Sequence, residues 1–201
     1  MFIIKTRALL LMALLSSTAL MGQAHAFEEK HKVGVQLSGG GAEYKGSSKD
    51  GDGVGQAYLY YNYQFSPMLA LEVGLNGGSE ADDWECTDID DNKFTCKNND
   101  KPLFNLDANK LDYSNLVFAG KGEYALTKNN SLYAKLGVNF YDYDIKQNSK
   151  VLNSDDGVGL FAELGWEYDF SNGLGINASY QYMDMGDLDT SILGVGLSYR
   201  F

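Results

Sequence analysis

The chain has 201 residues, with 27 acidic side chains against 16 basic ones and a formal net charge of −11. Arginine occurs only at Arg7 and Arg200 and the lysines form no cluster, which excludes a nucleic-acid-binding protein, since that needs a basic footprint. Beyond the N-terminal segment no stretch approaches the roughly 18 consecutive apolar residues that a membrane-crossing helix requires.

The first element is a leader. Lys5 and Arg7 precede an apolar run from Ala8 to Leu20, and Ala24-His25-Ala26 supplies a small-x-small cleavage site. A basic start, a short apolar core and such a site are the parts of a secretory signal peptide. Residues 1–26 are therefore expected to be removed, leaving one domain from Phe27 to Phe201 with a net charge of −13. In an exported chain Cys86 and Cys96 are expected to form a disulfide.

Eight extended segments follow, each alternating apolar and polar residues with the period of two that puts successive side chains on opposite faces of a strand. Strand one, about 32–44, sets Val33, Val35 and Leu37 against Gly34, Gln36 and Ser38. Strand two, 53–65, sets Leu59, Tyr61, Tyr63 and Phe65 against Tyr58, Tyr60, Asn62 and Gln64, and a turn at Ser66-Pro67 leads into strand three, 68–77. A long polar stretch, 78–109, separates it from strand four, 110–124. Asn129 lies in the next tight turn, and strand five, 131–143, sets Leu132 to Phe140 against Tyr133, Lys135 and Asn139. A polar loop is expected at 144–156, then strand six, 158–170, a turn at Asn172, strand seven, 174–182, a loop at 183–189, and strand eight, 190–201.

Short turns alternate with longer loops, and apolar residues alternate with polar ones. This combination predicts an all-β, eight-stranded antiparallel transmembrane barrel with short periplasmic turns and longer extracellular loops. Backbone groups in lipid must pair within the protein, so such a sheet has to close on itself. The competing architecture is a soluble, lipocalin-like barrel with its apolar face inward. The membrane barrel places Glu72, Lys121, Lys135 and Glu167 on inward positions at similar distances from the periplasmic turns, with Glu163 in the same polar set. Unpaired, each buried charge would cost several kcal/mol, so a mutually neutralising cluster is expected. An eight-stranded interior has room for side chains and little else.

The segment Gly194-Val195-Gly196-Leu197-Ser198-Tyr199-Arg200-Phe201, together with Gly165-Trp166-Glu167-Tyr168 and Leu132-Tyr133-Ala134-Lys135-Leu136-Gly137, resembles the small eight-stranded barrels typified by the outer-membrane protein A transmembrane domain and the X/Ail group. The resemblance implies location in the Gram-negative outer membrane, contact with its lipid and lipopolysaccharide, and a monomer. It also implies recognition by the barrel-assembly machinery through Tyr199 and Phe201. The protein A family has a charged interior cluster that the four inward charges match. Where that family places an arginine on strand seven, this chain has Asn177, so a family-like salt-bridge gate lacks its donor. The X/Ail likeness implies adhesion to host or matrix, serum resistance or envelope integrity through the surface loops. A narrow pore through the polar interior is the alternative.

Enzymatic small barrels rely on a histidine, and after leader removal only His31 remains, at the periplasmic end. No catalytic residue, metal or cofactor is therefore expected. Between Gly78 and Lys110 there are nine acidic residues against four lysines. Asp88-x-Asp90-x-Asn92 opens with the spacing of a calcium loop, but Lys93 stands where the sharp turn needs glycine. Long loops on a rigid scaffold carry recognition, so Trp84, Asp88, Asp90, Asp91 and Phe94, stapled by Cys86 and Cys96, are the candidate ligand-binding residues.

Overall fold

The computed structural model describes residues 29–45, 47, 51–80, 84–90, 93–98, 103–104 and 106–201; the expected leader and Asp91 lie outside them. Ten strands are formed: β1 His31–Tyr44, β2 Gly51–Ser66, β3 Leu69–Glu80, β4 Trp84–Asp90, β5 Lys93–Asn98, β6 Lys110–Ala125, β7 Asn130–Gln147, β8 Lys150–Asp169, β9 Leu174–Met185 and β10 Leu188–Arg200. Eight of them close into an antiparallel barrel in the order β1-β10-β9-β8-β7-β6-β3-β2, while β4 and β5 pair as a sheet of their own.

Which face is apolar decides the solvent. Leu37, Val195 and Leu193 are 65, 66 and 67% exposed, whereas Gln36, Glu72 and Asn177, on the opposite face, are at most 4% exposed. A belt of outward apolar residues around every barrel strand is stable only against lipid, and the lipocalin-like arrangement, which needs the reverse, is overturned. Inside, Tyr58 and Tyr133 lie across neighbouring strands in space left by Gly74 and Gly165, where an added Cβ would overlap the tyrosine ring.

The seam between first and last strands is the β1–β10 ladder, which runs from Lys32 opposite Arg200 to Tyr44 opposite Leu188. Beyond it, Phe201 N–H donates to the His31 carbonyl at 2.8 Å, and the His31 ring stacks on Phe201 with centroids 5.7 Å apart. His31 is thus a seam residue at the periplasmic rim, away from the outer face.

Three polar stretches expected as loops are instead structured. Residues 144–156 belong largely to β7 and β8, whose pairing continues outward to Gln147 opposite Lys150 and turns at Asn148 with φ of 55°. Strands β9 and β10 likewise extend to Met185 and from Leu188, turning at Gly186 with φ of 75°. The stretch 78–109 holds the β4–β5 hairpin. Above the apolar belt the outward phase turns polar, at Asp142, Asp144 and Lys146, while Tyr141, Tyr143 and Ile145 keep the inward phase, so the apolar-out signature of a membrane strand is lost there.

Candidate functional site

The candidate site stands at the outer end, opposite the tight turns at Pro67, Asn129 and Asn172. In the β4–β5 hairpin the register puts Trp84 opposite Asn98, Cys86 opposite Cys96 and Asp88 opposite Phe94, with a bulge before Asp90 meets Lys93. Trp84, Asp88 and Phe94 therefore occupy the same alternate positions as the two cysteines, and Asp90 lies past the bulge. Among the described residues neither β4 nor β5 pairs with the barrel. An isolated two-stranded hairpin is marginal in water, so this element depends on a constraint beyond its own ladder.

Below the hairpin the barrel mouth is filled. Leu103 N–H donates to the Ala108 carbonyl at 2.8 Å, turning residues 103–108 over the opening. Leu103, Phe104 and Ala108 are buried there among Leu111, Tyr143, Ile145 and Leu188. The base of this turn is anchored on the β7–β8 tip: Asn109 N–H reaches the Lys146 carbonyl at 2.9 Å, and Asn109 exchanges side-chain hydrogen bonds with Asn148.

Deeper in the barrel the charged residues form two groups. In the first, Lys135 Nζ lies 2.9 Å from Glu72 Oε2 and 3.1 Å from Glu163 Oε1. Tyr58 donates to Glu72 at 2.6 Å and Tyr133 to Glu163 at 2.7 Å, while Gln36 and Gln181 each donate to Glu163 at 3.1 Å. The Lys135 ammonium also sits 4.6 Å from the Tyr60 ring centroid, a cation–π distance. In the second group, toward the periplasm, Glu167 accepts from Lys32 and from Lys121 at 3.4 Å, and Lys121 meets Glu123 at 2.6 Å. Lys32 continues to Asp169, which is 2.5 Å from Arg200. The two groups adjoin at Tyr133, whose ring centroid is 4.5 Å from the Lys121 ammonium and 5.4 Å from that of Lys135. Asn177 takes a neutral place, accepting from Gln36 at 2.9 Å and donating to Tyr60 at 3.0 Å.

Residues 10–201 match the family described as Outer membrane protein beta-barrel domain. The chain belongs to this family of outer-membrane β-barrels. Similar solved structures include Neisserial surface protein A, at 11% identity and a TM-score of 0.63 over 86% of this chain and 97% of that one. Ail, the attachment invasion locus protein of Yersinia pestis, aligns at 14% identity and a TM-score of 0.56 over 85% of this chain and 97% of that one. The N-terminal barrel domain of Pseudomonas aeruginosa OprF aligns at 10% identity and a TM-score of 0.52 over the same shares. No curated protein sequence matches the chain at a significant level. At these identities the likeness carries the fold, and the family places the barrel in the Gram-negative outer membrane.

Within this outer-membrane barrel, Lys32, Asp169 and Arg200 join the interior cluster although the sequence reading passed over them. Lys32 carried a usable signal, since it falls on the polar phase opposite Val33 and Val35. Phe104 carried none, because a lone aromatic in a polar stretch has no periodicity to place it. Above the apolar belt, on the outward face of the β6–β7 tips, Asp112 is 3.0 Å from both Lys110 and Lys146, and Lys146 is 3.0 Å from Asp144. Burial opposes ionisation of Asp112, but hydrogen bonds from Lys110 and Lys146 outweigh it and hold its carboxyl below the ordinary value. Hydrogen bonds to Asp144 and Asp112 hold Lys146 above its ordinary value.

Proposed function

We propose that this outer-membrane barrel is a non-catalytic surface-interaction protein that presents the β4–β5 hairpin to a host-cell or matrix protein. The observation that supports this reading most is the separate hairpin above a barrel whose mouth and interior are filled with side chains. Directly opposite positions in an antiparallel pair have Cα separations of about 4.5–5.5 Å, within the range a disulfide spans. A Cys86–Cys96 bond would hold Trp84, Asp88, Asp90, Asp91 and Phe94 ready for contact and lower the ordering cost of binding. Loop chemistry also favours a class of partner. Residues 84–98 carry Glu85, Asp88, Asp90 and Asp91 against Lys93 and Lys97, an acidic excess that suits a basic surface better than a polyanion. Ail of Yersinia pestis has been solved with the heparin analogue sucrose octasulfate; the acidic loop of this chain argues for a different ligand. Phe27 is proposed as the mature N-terminus, and Tyr199 and Phe201 as the signal read by the assembly machinery.

The test compares cells displaying the native protein with cells in which residues 84–98 are replaced by a Gly-Ser link, leaving the 103–108 turn intact. Binding to host cells, matrix proteins and complement regulators is scored, with heat-modifiable gel mobility reporting barrel folding and intact mass reporting leader removal and the disulfide. Loss of binding, together with weakened native binding at raised salt, is the expected outcome. Undiminished binding by the replaced chain removes the hairpin from the function.

A further inference from the structure

We propose that the outer mouth of the barrel is a binding site for a small neutral aromatic molecule of one ring or two fused rings, filled in this structure by the chain's own Phe104. The site is separate from the hairpin and does not depend on the hairpin's partner. It starts from a change of chemistry along the barrel axis. Toward the periplasm the inward positions carry paired charges and amides. At the outer end, where water is nearest, they carry Leu111, Ile145, Met185 and Leu188, none more than 1% exposed. Inward side chains at a water-facing mouth have no need to be apolar unless something apolar covers them.

The cover is one ring held at a conformational cost. Phe104 is 1% exposed and its ring lies 5.6 Å from that of Tyr44. Its backbone has φ of 52°, and Asp107 in the same turn has φ of 49°. Left-handed backbone in a residue with a Cβ is strained, because the Cβ crowds the following carbonyl. A free aromatic of the same shape fills the same space without that strain, which offsets part of the advantage that tethering gives Phe104. Such strain at a non-glycine residue is a pointer to function when an outlier is actually observed.

A second observation sets the ligand's polarity. The Tyr143 hydroxyl belongs to the same buried cluster, is inaccessible to solvent and has no hydrogen-bond partner among the described residues. Phe104 offers it nothing, whereas an aromatic bearing one N–H or O–H, such as indole or a phenol, satisfies it. Met185, fully buried in this cluster and paired with Leu188, supplies an unbranched wall that adapts to ligands of differing outline, while Met183 lies deeper, its sulfur accepting from Asn76 and Asn115.

The same methionines give the readout. The full chain, labelled with 13C at the methionine methyls and folded in detergent micelles, is titrated with indole. Met68, 59% exposed in the β2–β3 turn at the opposite end of the barrel, reports indole that merely dissolves in the detergent. Saturable shifts at Met185, larger than any at the deeper Met183, are expected, and Phe104→Ala, which removes the internal competitor, is expected to bind about tenfold or more tightly. Shifts at Met68 alone, or an unmoved Met185 in both proteins up to the solubility limit of indole, overturn the proposal. Should the variant fail to show folded gel mobility, the wild-type titration decides by itself.

Discussion

Lys135 shows how a side chain becomes indispensable by position. It is surrounded by Glu72, Glu163 and the rings of Tyr58, Tyr60 and Tyr133, with no water-facing route by which either carboxylate recovers its hydration. A buried ion pair contributes little net stability against an apolar substitute, yet removing one partner strands a charge at a cost of about 3–5 kcal/mol. Lys135→Met is therefore expected to destabilise the barrel by about that amount, and adding Glu72→Gln and Glu163→Gln to recover most of it. The measurement is urea unfolding in lipid vesicles, scored by gel mobility. A single variant within 1 kcal/mol of wild type would contradict the assignment of these contacts.

At the scale of elements, the strand pair β7–β8 serves two solvents. The lower part of β7 is an apolar-out membrane ladder, and its upper part is tied to β6 by Asp112, Asp144 and Lys146. Asp112 ionises more readily folded than unfolded, so its contribution is complete above the ordinary aspartate value near ~4 and fades as pH falls through its lower folded value. Lys146 has the opposite sense: its contribution is complete below the ordinary lysine value near ~10 and fades as pH rises through its higher folded value. Amide exchange at the β6–β7 tips is thus expected to accelerate in acid and in strong alkali, while the membrane belt stays protected. Asp112→Asn abolishes the acid effect if the assignment holds, and an unchanged acid profile in that variant counts against it. The same split explains what was legible. Within the belt, lipid on one face and a crowded interior on the other force strict alternation, so β1, β2 and the inward placement of Glu72, Lys121, Lys135, Glu163 and Glu167 follow from residue type alone. Above the belt the outward face turns polar and the apolar-out signature is lost, so the outer ends of β7 and β8 and the β4–β5 hairpin carry loop-like composition. The partner of each charge was illegible for a different reason: it depends on which strands face one another across the bore, which alternation does not encode.

For the whole molecule, the question is whether a polar interior conducts. The barrel is closed twice, by different chemistry and at different depths. Phe104 and its apolar neighbours seal the outer mouth, and the chain of contacts Arg200–Asp169–Lys32–Glu167–Lys121–Glu123 spans the lower interior. An ion would have to displace the first and break several members of the second, replacing charge-assisted hydrogen bonds with its own hydration in a bore already filled by side chains. Wild type in planar bilayers is expected to show no discrete conductance steps. Phe104→Ala is expected to stay equally silent, because opening the mouth leaves the lower closure intact. Lys121→Met with Lys32→Met removes the cations that tie that closure together, and adding both to Phe104→Ala is the combination expected to leak. Discrete steps in wild type would make the interior a pathway and restore the pore as the primary function. Steps already present in Phe104→Ala would show that the mouth alone holds the barrel shut.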